Sequence, residues 1–249
     1  MESISTQINI TYMKKVKQTI FFLSVLQLLT LCGFVQSYNN RIKELEKAFL
    51  ANPADYLNYE NMSFLVSEHY VQLNAAERKE IRDFLSGHAR FSTIHIHPPK
   101  EAGRPITIKG IVRDAKGTPL KNVKLFVFHT DARGYYTPTD SATKRMNEPD
   151  PRLFGYVTTD KYGKYSFETI HPGTYPNKYK GRYIPQHIHI QIQQAKYTDY
   201  SIQMAFEDDP SMKDPYWQKW ASDLTYPVIR LTLIANEKTG IHNITLSER

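Results

Sequence analysis

The stretch "PITIKGIVRDAKGTPLKNVKLFVFHTD", residues 105–131, decides the fold class. Apolar and polar residues alternate on both sides of turn signals at Lys116-Gly117 and near Pro119. A period of two is the signature of a strand with one buried face, and Gly and Pro punctuate strands. Further on, "GYVTTDKYGKYSFETI", residues 155–170, reads as a hairpin around Tyr162-Gly163. Then "QHIHIQIQQ" (186–194), "YSIQMAF" (200–206), "VIRLTLIAN" (228–236) and "HNITLSE" (242–248) follow as strands. Short strands with no helical period between them predict an antiparallel β-sandwich or barrel over residues 101–249.

Upstream the period changes. "NNRIKELEKAFLANP" places Ile42, Leu45, Ala48 and Phe49 on one helical face and stops at Asn52-Pro53. "NAAERKEIRDFLSGH" offers Asn74 as a cap and ends near Gly87, and "NMSFLVSEHYVQL" between them is a candidate third helix. Residues 38–100 therefore read as a small helical segment, a lid or an arm.

The first 37 residues read as a signal peptide, with Met13 a candidate true start. Lys14, Lys15 and Lys17 precede an apolar run over 20–35, and Ser37 follows with Val35 two residues before it. The run is short for a membrane span. The only cysteine, Cys32, lies inside it, and a lipid anchor there is the rival to simple export. A mature chain without cysteine has neither disulfides nor thiolate metal sites. The formal charge is +7, and removing residues 1–37 takes away three Lys and one Glu to leave +5. Those charges are scattered, with no basic cluster interleaved with aromatics, so nucleic acid is not expected as a partner.

The chemistry lies in "RYIPQHIHIQI", residues 182–192. His187 and His189 are two apart on a strand and point to the same face. A mononuclear metal site needs further ligands. Candidates are Tyr175, held between Gly173 and Pro176, and Tyr135 or Tyr136 after the turn at Gly134. Tyrosinate forms at neutral pH only beside a strong cation, for which Fe(III) is the candidate. The plain alternative is a pair of polar residues on a wet sheet face. A second pair, His95 and His97 in "STIHIHPP", shows the same spacing.

Several phrases in order carry a resemblance to a known family. They are "GRPITIKGIVRDAKGTPLKNVKLFVFHTDARGYY", "DPRLFGYVTTDKYGKYSFETIHPGTYP", "IPQHIHI" and "FEDDP". They resemble the intradiol ring-cleavage dioxygenases in the patterns G-R-P-x-x-x-x-G-x-V-x-D-x-x-G-x-P, P-G-x-Y-P and P-x-H-I-H. The resemblance runs from residue 102 to about 209. It implies a mononuclear non-haem Fe(III) held by Tyr136, Tyr175, His187 and His189. It also implies cleavage of a catechol-type ring by O₂ between its two hydroxyl-bearing carbons. Tyr175 is then the ligand that leaves the metal and helps take a substrate proton, and the pair at 95 and 97 is structural or accessory. A homodimer through the helical segment follows by the same resemblance.

Three positions depart from the family pattern. Ile184 stands where the family commonly has an arginine, and Arg182, two residues earlier, is the candidate replacement. Phe128 and Asn177 stand where the family has tryptophans, so all three mark an altered substrate pocket. Tyr179, Tyr183 and Arg152 are further candidates for its wall. Two rival readings accompany the enzyme: a binder that captures catecholates without turnover, and a metal-free prealbumin-like structural module.

Overall fold

The computed structural model describes residues 38–138, 150–176, 178–192, 194–222 and 226–249. The signal-peptide and Cys32 readings, and the pocket residue Asn177, lie outside them. Two compact units divide the chain, residues 1–44 and 45–249. In the first, the described residues open a helix, α1, over 38–51, with an Arg41–Glu44 ion pair at 3.8 Å.

Helices α2 (Tyr56–His69) and α3 (Ala75–Gly87) follow. Asn74 caps α3 as its sequence predicts: its side chain accepts from the Ala76 and Glu77 amides, and Glu77 returns the bond to the Asn74 amide. This reciprocal capping satisfies donors that the first turn leaves free.

The strands are β1 (Thr93–His95), β2 (Pro105–Asp114), β3 (Lys124–His129), β4 (Leu153–Thr158) and β5 (Lys164–Ile170). After them come β6 (Lys178–Tyr179), β7 (Arg182–Tyr183), β8 (His187–Ile192) and β9 (Tyr200–Phe206). The last are β10 (Val228–Ile229), β11 (Leu231–Ile234), β12 (Glu237–Ile241) and β13 (Ile244–Leu246). One sheet runs β1-β5-β2-β12-β11 with β13 also on β2, a second runs β10-β9-β8-β3-β4, and β6 and β7 form a separate ribbon. Their inner faces bury Ile108, Val112, Leu125, Val127, Phe167, Ile188, Ile190, Ile202 and Met204. Each such side chain contributes about 1.5–3 kcal/mol by leaving water.

The β-sandwich stands, but its sheets are mixed rather than purely antiparallel. β1 runs parallel to β5, β12 and β13 run parallel to β2, and β10 runs parallel to β9. Alternation marks a strand but not its neighbour, and parallel partners are distant in sequence because they need crossovers. β1 also moves the start of the sheet into the segment read as helical.

That segment is fastened to both sheets. The Tyr59 hydroxyl donates to the Tyr156 carbonyl and accepts from the Tyr156 amide on β4, at 3.0 and 2.8 Å. Ser63 donates to the Phe154 carbonyl. Asp150 binds Arg78 at 2.7 Å and also Arg82 and Tyr70. Burial works against its ionisation, but Arg78, Arg82 and Tyr70 together outweigh that and hold the carboxyl below its usual range.

Asp150→Ala is expected to cost about 1–2 kcal/mol at neutral pH after solvent screening, read as a lower urea midpoint. A depressed native pKa gives stability that is present above the unfolded value, near 3.8, and lost as pH falls through the native one. The difference between variant and parent should therefore close on acidification. A gap that stays constant down to strongly acid pH would rule this account out.

Candidate metal and active site

Four donor atoms converge. Tyr136 Oη lies 2.7 Å from His189 Nε2, and Tyr175 Oη lies 3.1 Å from His187 Nε2. The two imidazole Nε2 atoms are 3.2 Å apart, and the two hydroxyls are hydrogen-bonded to each other. The structure brings together the four residues singled out as ligands and leaves Tyr135 out of the group.

Each arrives by a local route. His187 and His189 alternate with the core residues Ile188 and Ile190 on β8, so both face away from the core interior. His189 pairs across the sheet with Phe128 on β3, and their rings stack at 4.5 Å with planes 1° apart. Tyr136 follows the turn after β3, and Tyr175 follows the loop after β5.

Those two loops are clasped together. The Asp131 carboxylate accepts from the Arg133 and Tyr135 amides, and the Asp131 carbonyl accepts from the Gly134 and Gly173 amides. Thr130 donates to the Gly173 carbonyl at 2.9 Å. Gly134 has φ +89°, and a Cβ there would stand 1.9 Å from the Thr174 carbonyl oxygen. Only glycine fits so close an approach in the left-handed region.

Asp131 and Asp209 are the positioning residues that sequence reasoning passed over. Asp209, buried, accepts from the Gln186 amide beside His187 and caps the following turn at Ser211. The available signal was an Asp opening each turn, in "TDARG" and "DDPS".

The donor set suits a cation. His187 Nδ1 lies 2.7 Å from the Pro185 carbonyl, so it carries the proton and Nε2 presents its lone pair to the other donors. Burial drives His187 below the ordinary histidine value and His189 well below it, aided there by the neighbouring imidazoles. Both rings stay neutral, as a metal ligand must. Burial pushes the Tyr175 phenol up to about 12, against the hydrogen bond from Tyr136. Lone pairs on four converged oxygens and nitrogens, with few protons between them, describe a metal site with hard and imidazole ligands.

Other sequence candidates fall elsewhere. Arg182 is not on the histidine strand; the chain breaks at Ile184-Pro185, and Arg182 lies in the β6–β7 ribbon. There it pairs with Asp214 at 3.0 Å and stands over the Tyr216 ring. Arg152 is half-buried and holds Glu101 through two 2.6 Å bonds. Tyr179 and Tyr183 are on the exposed ribbon. His95 bridges Glu60 and Glu168, joining α2, β1 and β5. His97 bonds the Pro98 carbonyl.

Ile184 and His187 border an apolar cleft. A short helix absent from the sequence reading, α4 (Pro215–Ala221), supplies its far wall with Trp217, Trp220 and Ala221.

A sandwich that gathers two histidines and two tyrosines at one point carries a candidate metal site, and comparison with known proteins narrows its class. The family model described as Dioxygenase matches residues 86–243. The chain is 32% identical over 123 residues to the protocatechuate 3,4-dioxygenase beta chain of Burkholderia cepacia, covering 47% of this chain and 51% of that protein. It is 30% identical over 147 residues to the chlorocatechol 1,2-dioxygenase of Rhodococcus opacus, covering 53% and 55%. It thus spans about half the length of these relatives. The catechol 1,2-dioxygenase structure of Acinetobacter radioresistens aligns with a TM-score of 0.52 at 21% identity, over 65% of this chain and 58% of that one. That likeness shows the fold. The protein belongs to the intradiol ring-cleavage dioxygenase family.

Proposed function

We propose that the protein is an exported oxidoreductase that uses O₂ to open a catechol-type ring between its two hydroxyl-bearing carbons. The observation that carries this reading is the convergence of Tyr136, Tyr175, His187 and His189 on one point. These four would hold a mononuclear non-haem Fe(III). When bound, ferric iron supplies a Lewis acid that acidifies a catechol hydroxyl and draws electron density from the ring.

The chain's own residues do the rest. Pro185 fixes the His187 tautomer, and Phe128 fixes the plane of the His189 ring. Tyr136 is buried and bonded to His189, whereas Tyr175 is more exposed. Tyr175 Oη is the more accessible of the two phenol oxygens, so Tyr175, as its phenolate, would be the base placed to take a substrate hydroxyl proton. The apolar wall beside His187 keeps water from the reacting ring. Both oxygen atoms of O₂ end in the ring-opened diacid.

Export rests on the basic, apolar and small-residue pattern of residues 1–37. Among the described residues no helix is long and apolar enough to cross a membrane.

The test is a visible spectrum of the purified protein with Fe(III), then with catechol added without oxygen. Tyrosinate on ferric iron is expected to give a strong charge-transfer band that catechol shifts. Oxygen uptake with release of a muconate-type acid then separates an enzyme from a catecholate binder. A protein that stays colourless with iron would leave the structural-module reading in its place.

A further inference from the structure

The names of the relatives leave the substrate open, since one acts on protocatechuate, a carboxylated catechol, and another on a chlorocatechol. The cleft beside His187 bears on that choice. Its described lining includes Ile184, Gln203, Met212, Trp217, Trp220 and Tyr226, and none of the described lining residues is Lys, Arg, Asp or Glu.

The wall is aromatic and continues outward. Trp220 meets Tyr226 edge-on at 4.7 Å, and Tyr216 lies 4.9 Å from Trp217 and 5.9 Å from Trp220. Tyr179 on the β6–β7 ribbon reaches both Tyr216 and Trp217 at 6.4 Å. Among the described residues the buried Trp217 indole N–H has no acceptor.

The charges near this wall do not favour an anion inside it. Arg182 is occupied by Asp214, and the ribbon lysines Lys178 and Lys180 stand over the exposed rings of Tyr183 and Tyr179. The buried Asp209 carboxylate is occupied by the Gln186 and Ser211 amides. A carboxylate moved into such a cleft would lose its hydration without gaining a cation.

We propose that this cleft selects catechols with uncharged, apolar ring substituents, aryl groups foremost, and discriminates against carboxylated catechols. Ile184, Trp217 and Trp220 set the choice. The proposal rests on the catechol reading above. Aryl substituents fit because an aromatic wall offers edge-to-face and stacked contacts that an alkyl chain cannot use.

Both tryptophans of the sequence, Trp217 and Trp220, border the cleft, so intrinsic tryptophan fluorescence reports its occupancy. The experiment titrates the iron-loaded full chain, without oxygen, with catechol, 4-methylcatechol, 4-phenylcatechol and 3,4-dihydroxybenzoate. 4-Phenylcatechol is expected to bind tightest, and 3,4-dihydroxybenzoate about a hundredfold more weakly than it. Trp220→Ala, read by the remaining Trp217, should remove about tenfold of the phenyl preference. Ile184→Arg should improve 3,4-dihydroxybenzoate and weaken 4-phenylcatechol.

Binding of 3,4-dihydroxybenzoate as tight as that of 4-phenylcatechol overturns the proposal. So does an unchanged ratio in both variants. Because the readout is binding, selective binding without oxygen uptake sinks the ring-cleavage reading and leaves the selectivity standing.

Discussion

His189→Ala is expected to yield a folded protein that no longer retains iron and whose oxygen uptake with catechol falls at least a hundredfold. The imidazole supplies one corner of the donor group, 2.7 Å from Tyr136 Oη and 3.2 Å from His187 Nε2. Removing even an outer partner of a metal ligand commonly costs about 10–100-fold, and this change removes a ligand outright. Apart from contacts within the donor group itself, the fold loses the stacking on Phe128, worth about 1 kcal/mol. Metal analysis beside circular dichroism checks both halves. The parent should also gain thermal stability from iron, about 2.7 kcal/mol when free metal exceeds Kd a hundredfold, and the variant should gain none. Iron retained at parental stoichiometry in His189→Ala would remove His189 from the ligand set.

The second large effect comes from a residue with no side chain. Gly134→Ala forces a Cβ to within 1.9 Å of the Thr174 carbonyl at φ +89°. The left-handed conformation alone costs an alanine about 1–2 kcal/mol. The clash adds to this, and neither backbone can yield freely: Gly134 is tied to Asp131, and Gly173, just before Thr174, is tied to both Asp131 and Thr130. A loss of about 3 kcal/mol or more is expected in urea denaturation. The Tyr136 and Tyr175 hydroxyls should also separate, so the charge-transfer band weakens even at temperatures where the variant is folded. A midpoint and a spectrum matching the parent would show that the two loops are not clasped there.

The histidine pair was legible from residues alone, because a spacing of two on a strand fixes a shared face. The tyrosines were not. Nothing local says that residues 136 and 175 meet, and only ordered phrases resembling a known family placed them. The Asn74 cap and the turns at Gly117 and Gly163 were legible because capping and turn chemistry are local; Asp114 and Asp160 each accept two turn amides as such sequences suggest.

The errors have physical causes. Residues 182–192 read as one strand, but Pro185 interrupts it, and Lys180 and Gly181 turn the chain into a ribbon with positive φ at both. Helix α4 is too short for a period to show, although Asp214 capping Tyr216 and Pro215 in the first turn are ordinary start signals. Strand β1 is three residues long, and its parallel partner β5 lies about seventy residues away in sequence.

The fastening of residues 45–95 to the sandwich bears on which sheet edges are left open to another chain. β5 and β4 would each end a sheet but for this segment: β1 pairs with β5, and the Tyr59 hydroxyl occupies the Tyr156 N–H and C=O on the outer side of β4. A strand with free backbone groups is a template for pairing with another chain. The helical segment thus covers backbone groups that would otherwise be open on both sheets. A chain shortened to begin at residue 101 would keep all four ligand residues, yet it would present two sticky strand edges and be prone to fibrils or insoluble oligomers.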